Sequence, residues 1–267
     1  MNRETWLLWL LADSQLPTGG FVASAGLEAA VQGGLVRENV DETDRQSYVG
    51  FIRSSTRNQA RFALPFCSLV HEQVTELLDQ PDQDSQAILD AIIQADDFHH
   101  TMVSSNAVAM RASTAQGGGL LSLFNRGYAH AGFMADERGQ RSVQTAKRLQ
   151  RLSRLGDVRT HWPTAFGFVG AALGISLEHA QQLYMFQFVR QLFSAAIRLN
   201  LVGPLRAQAL ECDMQQEVDA LLKEHGHLRP ACAPGEDVFS ETTVYTEPIV
   251  ELYQGMHDRL YSRIFNS

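Results

Sequence analysis

Several kinds of signal are missing from this chain, and each absence removes a class of function. Cysteine is scarce: Cys67, Cys212 and Cys232 are all there are. They are odd in number and far apart, so neither a Cys-x-x-Cys centre nor a disulfide framework can be read, and a reducing, cytoplasmic setting is expected. Long apolar runs are also missing. The stretch from Trp6 to Ala12 lies between Glu4 and Asp13, far short of the roughly 20 residues of a membrane span and shorter than the apolar core of a secretory signal. Positive charge is in deficit: 22 Lys and Arg stand against 30 Asp and Glu, a net charge of −8. Such a surface repels phosphate and anionic lipid, so neither nucleic acid nor membrane is an expected partner. Phosphate-binding and nucleophile signatures are absent as well. Gly117-Gly118-Gly119 has no following Lys of the P-loop kind, and no G-x-S-x-G elbow occurs.

Hydrophobic residues make up 45% of the 267 residues, enough for one sizeable core. Their spacing is helical almost throughout, and alternating strand patterns are nearly missing. The predicted class is therefore all-α: a single domain of about ten helices, with residues 226–247 as a mobile connector before the last one. Helices are predicted over about 4–12, 23–33, 41–60, 62–78, 86–115, a weak one from the triple Gly to about 131, a basic helical surface at 147–154, then 161–174, 176–201, 205–225 and 248–265. Residues 134–144 read as polar and exposed.

Two of these segments stand out. In 161–174, Pro163 suits a helix N1 position. Gly167, Gly170 and Gly174 recur at helical spacing, a cost of about 1 kcal/mol each relative to Ala unless another backbone must come close. The segment 176–201 is apolar nearly all round and should be central. Its Arg190 and Arg198 then need partners, for which Glu28, Asp96 and Asp97 are the candidates.

The chemistry-bearing residues form no convincing catalytic constellation. His99 and His100 are adjacent, so on a helix they point about 100° apart, which disfavours shared metal ligation. Asp96-Asp97 is the only carboxylate pair that could serve a helical lyase, and no second motif supports it. No metal site, cofactor or catalytic residue is assigned. A generic helical adaptor is the other reading of such a chain.

Four stretches in order carry a resemblance to a known family. They are LWLLADSQLPTGGFVASAGLE from Leu8, AMRASTAQGGGLL from Ala109, HWPTAFGFVGAALGI from His161 and SAAIRLNLVGPLRAQA from Ser194. Together they resemble the UreF urease accessory proteins. The chain departs from that pattern in two places. It has Thr114-Ala115-Gln116 where many members carry an acidic residue, and its 134–154 segment is longer and more basic than the family's.

The resemblance implies an all-helical, non-enzymatic, dimerising assembly factor. It would join the UreD (UreH) scaffold, recruit the UreG GTPase and gate its GTP hydrolysis. Nickel would then be delivered to apo-urease by the complex, and direct binding of nickel by this chain is not predicted. It also implies two interaction regions. One is the Asp13–Glu28 edge, with Asp13, Ser14, Ser24 and Glu28, facing UreG or the complex. The other is a C-terminal helix with Tyr253, Arg259, Arg263 and Phe265, facing UreD. Tyr48 and Tyr184 are candidates for dimer packing, and Arg111, Gln116 and Arg198 are further candidate contacts.

Overall fold

The computed structural model describes residues 1–13, 19–37, 41–80, 84–232 and 244–267. Among these there is no strand. Eleven α-helices follow in order: α1 Arg3–Ala12, α2 Leu27–Gln32, α3 Tyr48–Phe62, α4 Leu64–Asp79, α5 Ser85–Val103, α6 Ala107–Arg126, α7 Glu137–Leu155, α8 Trp162–Leu173, α9 Leu177–Arg198, α10 Pro204–His225 and α11 Pro248–Met256.

Helix α8 is the hub, with eleven of its twelve residues buried. It lies against α4 and α6 at a separation that only glycine allows. A Cβ on Gly167 would lie 2.3 Å from the Cys67 carbonyl oxygen. On the other side, a Cβ on Gly117 of α6 would lie 2.1 Å from the Thr160 carbonyl oxygen just before α8. The glycine cost read in the sequence is thus offset by close backbone approach. Pro163 occupies the first turn of α8, and Gly174 closes it in the left-handed conformation.

Two apolar clusters are built around this arrangement. One gathers α4, α5, α6, α7 and α8 with Leu7 and Leu11 of α1. The other joins α2, α3, α10 and α11 to the C-terminal Phe265. Helix α9 runs through both: Leu183, Tyr184 and Met185 belong to the first, Val189 to Ala196 to the second. Ser176 N-caps it, its hydroxyl accepting from His179 N.

Several predicted boundaries are corrected. The expected helix over 86–115 is two helices, because Asn106 caps a new start by accepting from Ala109 N at 3.0 Å. The triple Gly lies inside α6, where Gly117 meets the α8 entry. Residues 134–144 are not an exposed polar strip. Asp136 caps α7 by accepting from Gly139 N at 2.6 Å, and Gly139, Ser142 and Val143 are buried. Helix α3 begins at Tyr48 rather than near Asp41, where Ser47 caps it. The second helix is only six residues long. The last helix stops at Met256, followed by a 3-10 turn over His257–Arg259 and irregular chain. Part of the expected 226–247 connector is described: Gly226 to Cys232 and Val244 to Glu247.

Candidate interaction surface

The N-terminal region and the C-terminal segment are locked together by buried polar chemistry. Glu28 is fully buried and accepts from the backbone N–H of Ile264 at 2.7 Å and of Phe265 at 3.2 Å. Ser24 donates through its N–H to the Ser267 carbonyl at 2.6 Å and through its hydroxyl at 3.2 Å. Asn266 N donates to the Val22 carbonyl at 2.9 Å. A Cβ on Gly26 would meet the Gln254 backbone at 2.9 Å, so α11 rests directly on the entry to α2. A buried carboxylate is tolerated because its oxygens accept directional N–H donors.

Arg198 completes the lock. Its guanidinium carbon stands 4.1 Å from the Phe265 ring centroid and 4.2 Å from that of Phe21, while it donates to the Phe21 carbonyl. This is a cation–π contact with two rings, not the ion pair with Glu28, Asp96 or Asp97 that the sequence suggested. Arg190 pairs instead with Glu211 at 3.8 Å. Outside the lock, Arg111 reaches both oxygens of Asp258 at 2.7 and 2.8 Å, and Arg263 approaches the same residue at 3.4 Å.

These geometries redistribute the candidate residues. Ser24, Glu28 and Phe265 are buried and committed to the chain's own fold, so none presents its side chain outward. Tyr184 is fully buried and accepts from Gln59 Nε2 at 2.7 Å; burial pushes its phenol well above the usual range. It is a core residue, not a surface for a second copy. Tyr48 is half-buried and donates to Glu42 at 3.0 Å, which also holds Arg206. Tyr253 is half-buried against Gly33. Asp13 and Arg259 are exposed, and Arg111 and Arg263 are exposed at Asp258. Ser14 lies outside the described residues.

A cleft of about 620 Å³ opens between α3, α6, α8 and α9. Asp13, Gln116, Arg190, Arg198, Gln59 and Gln191 line it with the aromatic faces of Phe62, Trp162 and Tyr245. His99 is part of its lining, and the two adjacent histidines prove to have a third companion. His161 Nε2 lies 3.2 Å from His100 Nδ1, and the His99 and His161 rings are 4.6 Å apart. Ser113 Oγ sits 3.2 Å from His161 Nδ1. Burial lowers His161 to about 4 and takes His99 well below its ordinary value, so both rings are neutral near pH 7. Asp96 is buried and accepts from Thr160 N, His161 N and Thr164 Oγ1 at 2.7, 2.7 and 2.5 Å. It fixes the entry to α8, while Asp97 faces outward; the two carboxylates are not a pair. Among the described residues, no three His, Cys, Asp or Glu stand where they could hold a metal ion together.

The sequence shows little polar face on α1, which predicts packing inside or against a partner. Its Leu7 and Leu11 are buried, but Trp6, Trp9 and Leu10 are 51%, 59% and 43% exposed. The two indoles lie 6.1 Å apart on the outer face, next to a helix whose Phe186 is also exposed. Glu4 fastens α1 to the start of α9. It accepts from Ser176 N at 2.7 Å and lies 2.8 Å from His179 Nδ1. These contacts hold its carboxyl down at about 2. The absence of a polar face was the available signal for this surface.

Comparison with known proteins agrees along nearly the whole chain. A family model described as UreF matches residues 42–215. A protein called urease accessory protein F from Arabidopsis thaliana is 30% identical over 266 residues, covering 98% of this chain and 92% of the plant protein. One of the same name from Oryza sativa subsp. indica is 29% identical, covering 99% and 86%. Urease accessory protein 6 of Cryptococcus neoformans is 29% identical over 312 residues, covering 99% and 98%.

Proposed function

We propose, from the premise that the chain belongs to the UreF family of urease accessory proteins, that it is an assembly factor with no reaction of its own. In this reading it joins a UreD (UreH) scaffold, recruits the UreG GTPase and gates GTP hydrolysis while nickel passes to apo-urease. It works as a homodimer in the cytoplasm, and nickel is cargo of the complex rather than a resident of this chain. No helix among the described residues is long and apolar enough to cross a membrane, which is compatible with that setting.

The observation that carries the reading is the outer face of α1. Trp6, Trp9 and Leu10 form an exposed apolar ridge on a helix that is itself pinned by Glu4. A rigid patch with two indoles supplies the kind of anchor that dominates binding energy at protein interfaces. We assign this ridge to the UreD scaffold, together with the exposed Tyr261 and Ile264 of the C-terminal segment. The cleft rim around Asp13 and Gln116 is assigned to UreG.

Co-expression with UreD and UreG, followed by sizing and a GTPase assay, tests the assignment. The wild type should co-elute with both and change the GTPase rate. Trp6→Ser/Trp9→Ser should keep its helical circular dichroism yet weaken capture of UreD by about 2 kcal/mol or more, roughly 30-fold. Unchanged capture would remove α1 from the interface. Deleting the gene should leave urease protein present but inactive, and excess nickel should restore part of the activity. Full urease activity in the deletion strain would instead leave a helical adaptor unconnected with urease.

A further inference from the structure

Helix α7 carries a concentration of positive charge that the proposed assembly role does not use. Seven of the chain's 22 Lys and Arg residues lie between Arg138 and Arg159, where Asp157 is the only acid. Three of the seven serve the fold. Arg138 pairs with Asp79 at 3.3 Å and donates to the Ala171 carbonyl at 3.1 Å. Arg141 caps the end of α4 by donating to the carbonyls of Leu77, Leu78 and Gln80, where a cation also suits the helix dipole. Arg148 donates to Ser85 and Gln86 at the start of α5.

A fourth, Arg159, lies beyond the helix and acts on Asp97; Lys147, Arg151 and Arg154 are different. All three are exposed, and none forms an ion pair among the described residues. Spaced by four and three residues, they stand in one row on α7, covering about 10 Å at 1.5 Å rise per residue. Like charges at this spacing repel, and the sequence does nothing to relieve it. The other positions three or four residues away are Val143, Gln144, Gln150, Leu155, Val158 and a further cation, Arg148, with Asp157 lying beyond the Gly156 cap. Arg154 alone gains from the helix C-terminus; Lys147 and Arg151 lie too far from it.

We propose that this row docks an acidic helical segment of a partner protein, whose carboxylates at the same spacing neutralise Lys147, Arg151 and Arg154. A protein segment fits better than a polyanion. The row is one helix wide and no aromatic side chain interrupts it. The rest of the surface is acidic enough to repel a nucleic acid or an anionic bilayer that extended beyond the row. Charge of one sign concentrated on an otherwise opposite molecule also orients a partner before contact.

The test uses the full chain and a fluorescein-labelled helical peptide with glutamate at i, i+4 and i+7. Binding should be measurable by anisotropy at low salt and weaken as salt rises. Lys147→Glu/Arg151→Glu/Arg154→Glu should bind at least roughly tenfold more weakly, and the Gln triple variant should weaken binding in the same direction. The charge-matched control Arg37→Glu/Arg45→Glu/Lys223→Glu should bind like the wild type. Absence of binding by the wild type, equal loss in the control, or tighter binding of duplex DNA or phosphatidylserine vesicles would each overturn the proposal. UreD and UreG take no part in the measurement, so its failure is separate from failure of the assembly role.

Discussion

At the scale of single residues, the polar groups set in apolar surroundings are mostly structural, and the charge of each decides what its loss costs. Glu28 holds two backbone N–H groups of the C-terminal segment from a fully buried position. Glu28→Ala leaves those donors unpaired and should destabilise the protein by about 3 kcal/mol, read from urea unfolding. Amide exchange of residues 262–267 should accelerate in the same variant, and protection equal to wild type would deny Glu28 its role in the lock. The histidine cluster predicts a pH dependence. The folded-state value of His161 is depressed from 6.5 to about 4, and that of His99 is also lowered, both chiefly by burial. The neutral rings therefore contribute stability above pH 6.5 that is lost as pH falls from 6.5 through 4. The unfolding midpoint should drop across that window, and His99→Phe, set among Phe62 and Phe66, should flatten the drop. A variant that tracks wild type throughout would contradict the assignment of His99.

At the scale of elements, the close packing of α8 on α4 makes the glycines unequal. Gly167→Ala should cost about 2–3 kcal/mol, because its Cβ would press on the Cys67 carbonyl. Gly118→Ala, whose Cβ would meet nothing within 4 Å, should gain about 0.5–1 kcal/mol from helix propensity. Chemical denaturation of the two variants separates contact from propensity, and equal effects would refute the distinction. The same contrast explains what was legible beforehand. Pro163, the Gly spacing and Ser176 act through neighbours in sequence, so α8 and α9 could be placed closely. The break at Asn106 depends on a single capping hydrogen bond inside a continuing helical pattern, which concealed it, and the start of α7 at Asp136 on another inside a stretch polar enough to read as exposed chain. The candidate site was less legible still. That Glu28 and Phe265 face each other, and that His161 joins His99 and His100, are facts of sequence-distant packing that periodicity does not encode. Arg198 misled for a chemical reason: a half-buried guanidinium can be satisfied by two rings and a carbonyl as well as by a carboxylate.

At the scale of the whole molecule, α9 ties two apolar clusters into one body, and the outward features are arranged around it: the indole ridge of α1, the glutamine-lined cleft and, on another helix, the cationic row of α7. Glu4 couples one of these to acidity. Its carboxyl is held down at about 2 by the Ser176 N–H first and by His179 second. Its grip on α1 is therefore present above its ordinary value of 4.5 and fades as pH falls from there through 2. Tryptophan fluorescence should report release of α1 in that window, and Glu4→Gln should shift it; an unaltered titration would place the release elsewhere.

The lock between Glu28 and residues 264–265 has a consequence for how the protein is made. The two partners are separated by 236 and 237 positions, and translation delivers them in that order. While the intervening chain is being synthesised, the Glu28 carboxylate lacks the two backbone donors of residues 264 and 265 and keeps only the long contact from Gln32 at 3.4 Å, so it must stay in water, since a poorly paired charge does not enter an apolar interior. The first cluster can close on the ribosome as α4 to α8 emerge, but the region around α2 has to wait for residues 264 and 265. The region around Glu28 is thus among the later parts to reach its native place, and a nascent chain would show it open to a chaperone or a protease until residues 264 and 265 have emerged.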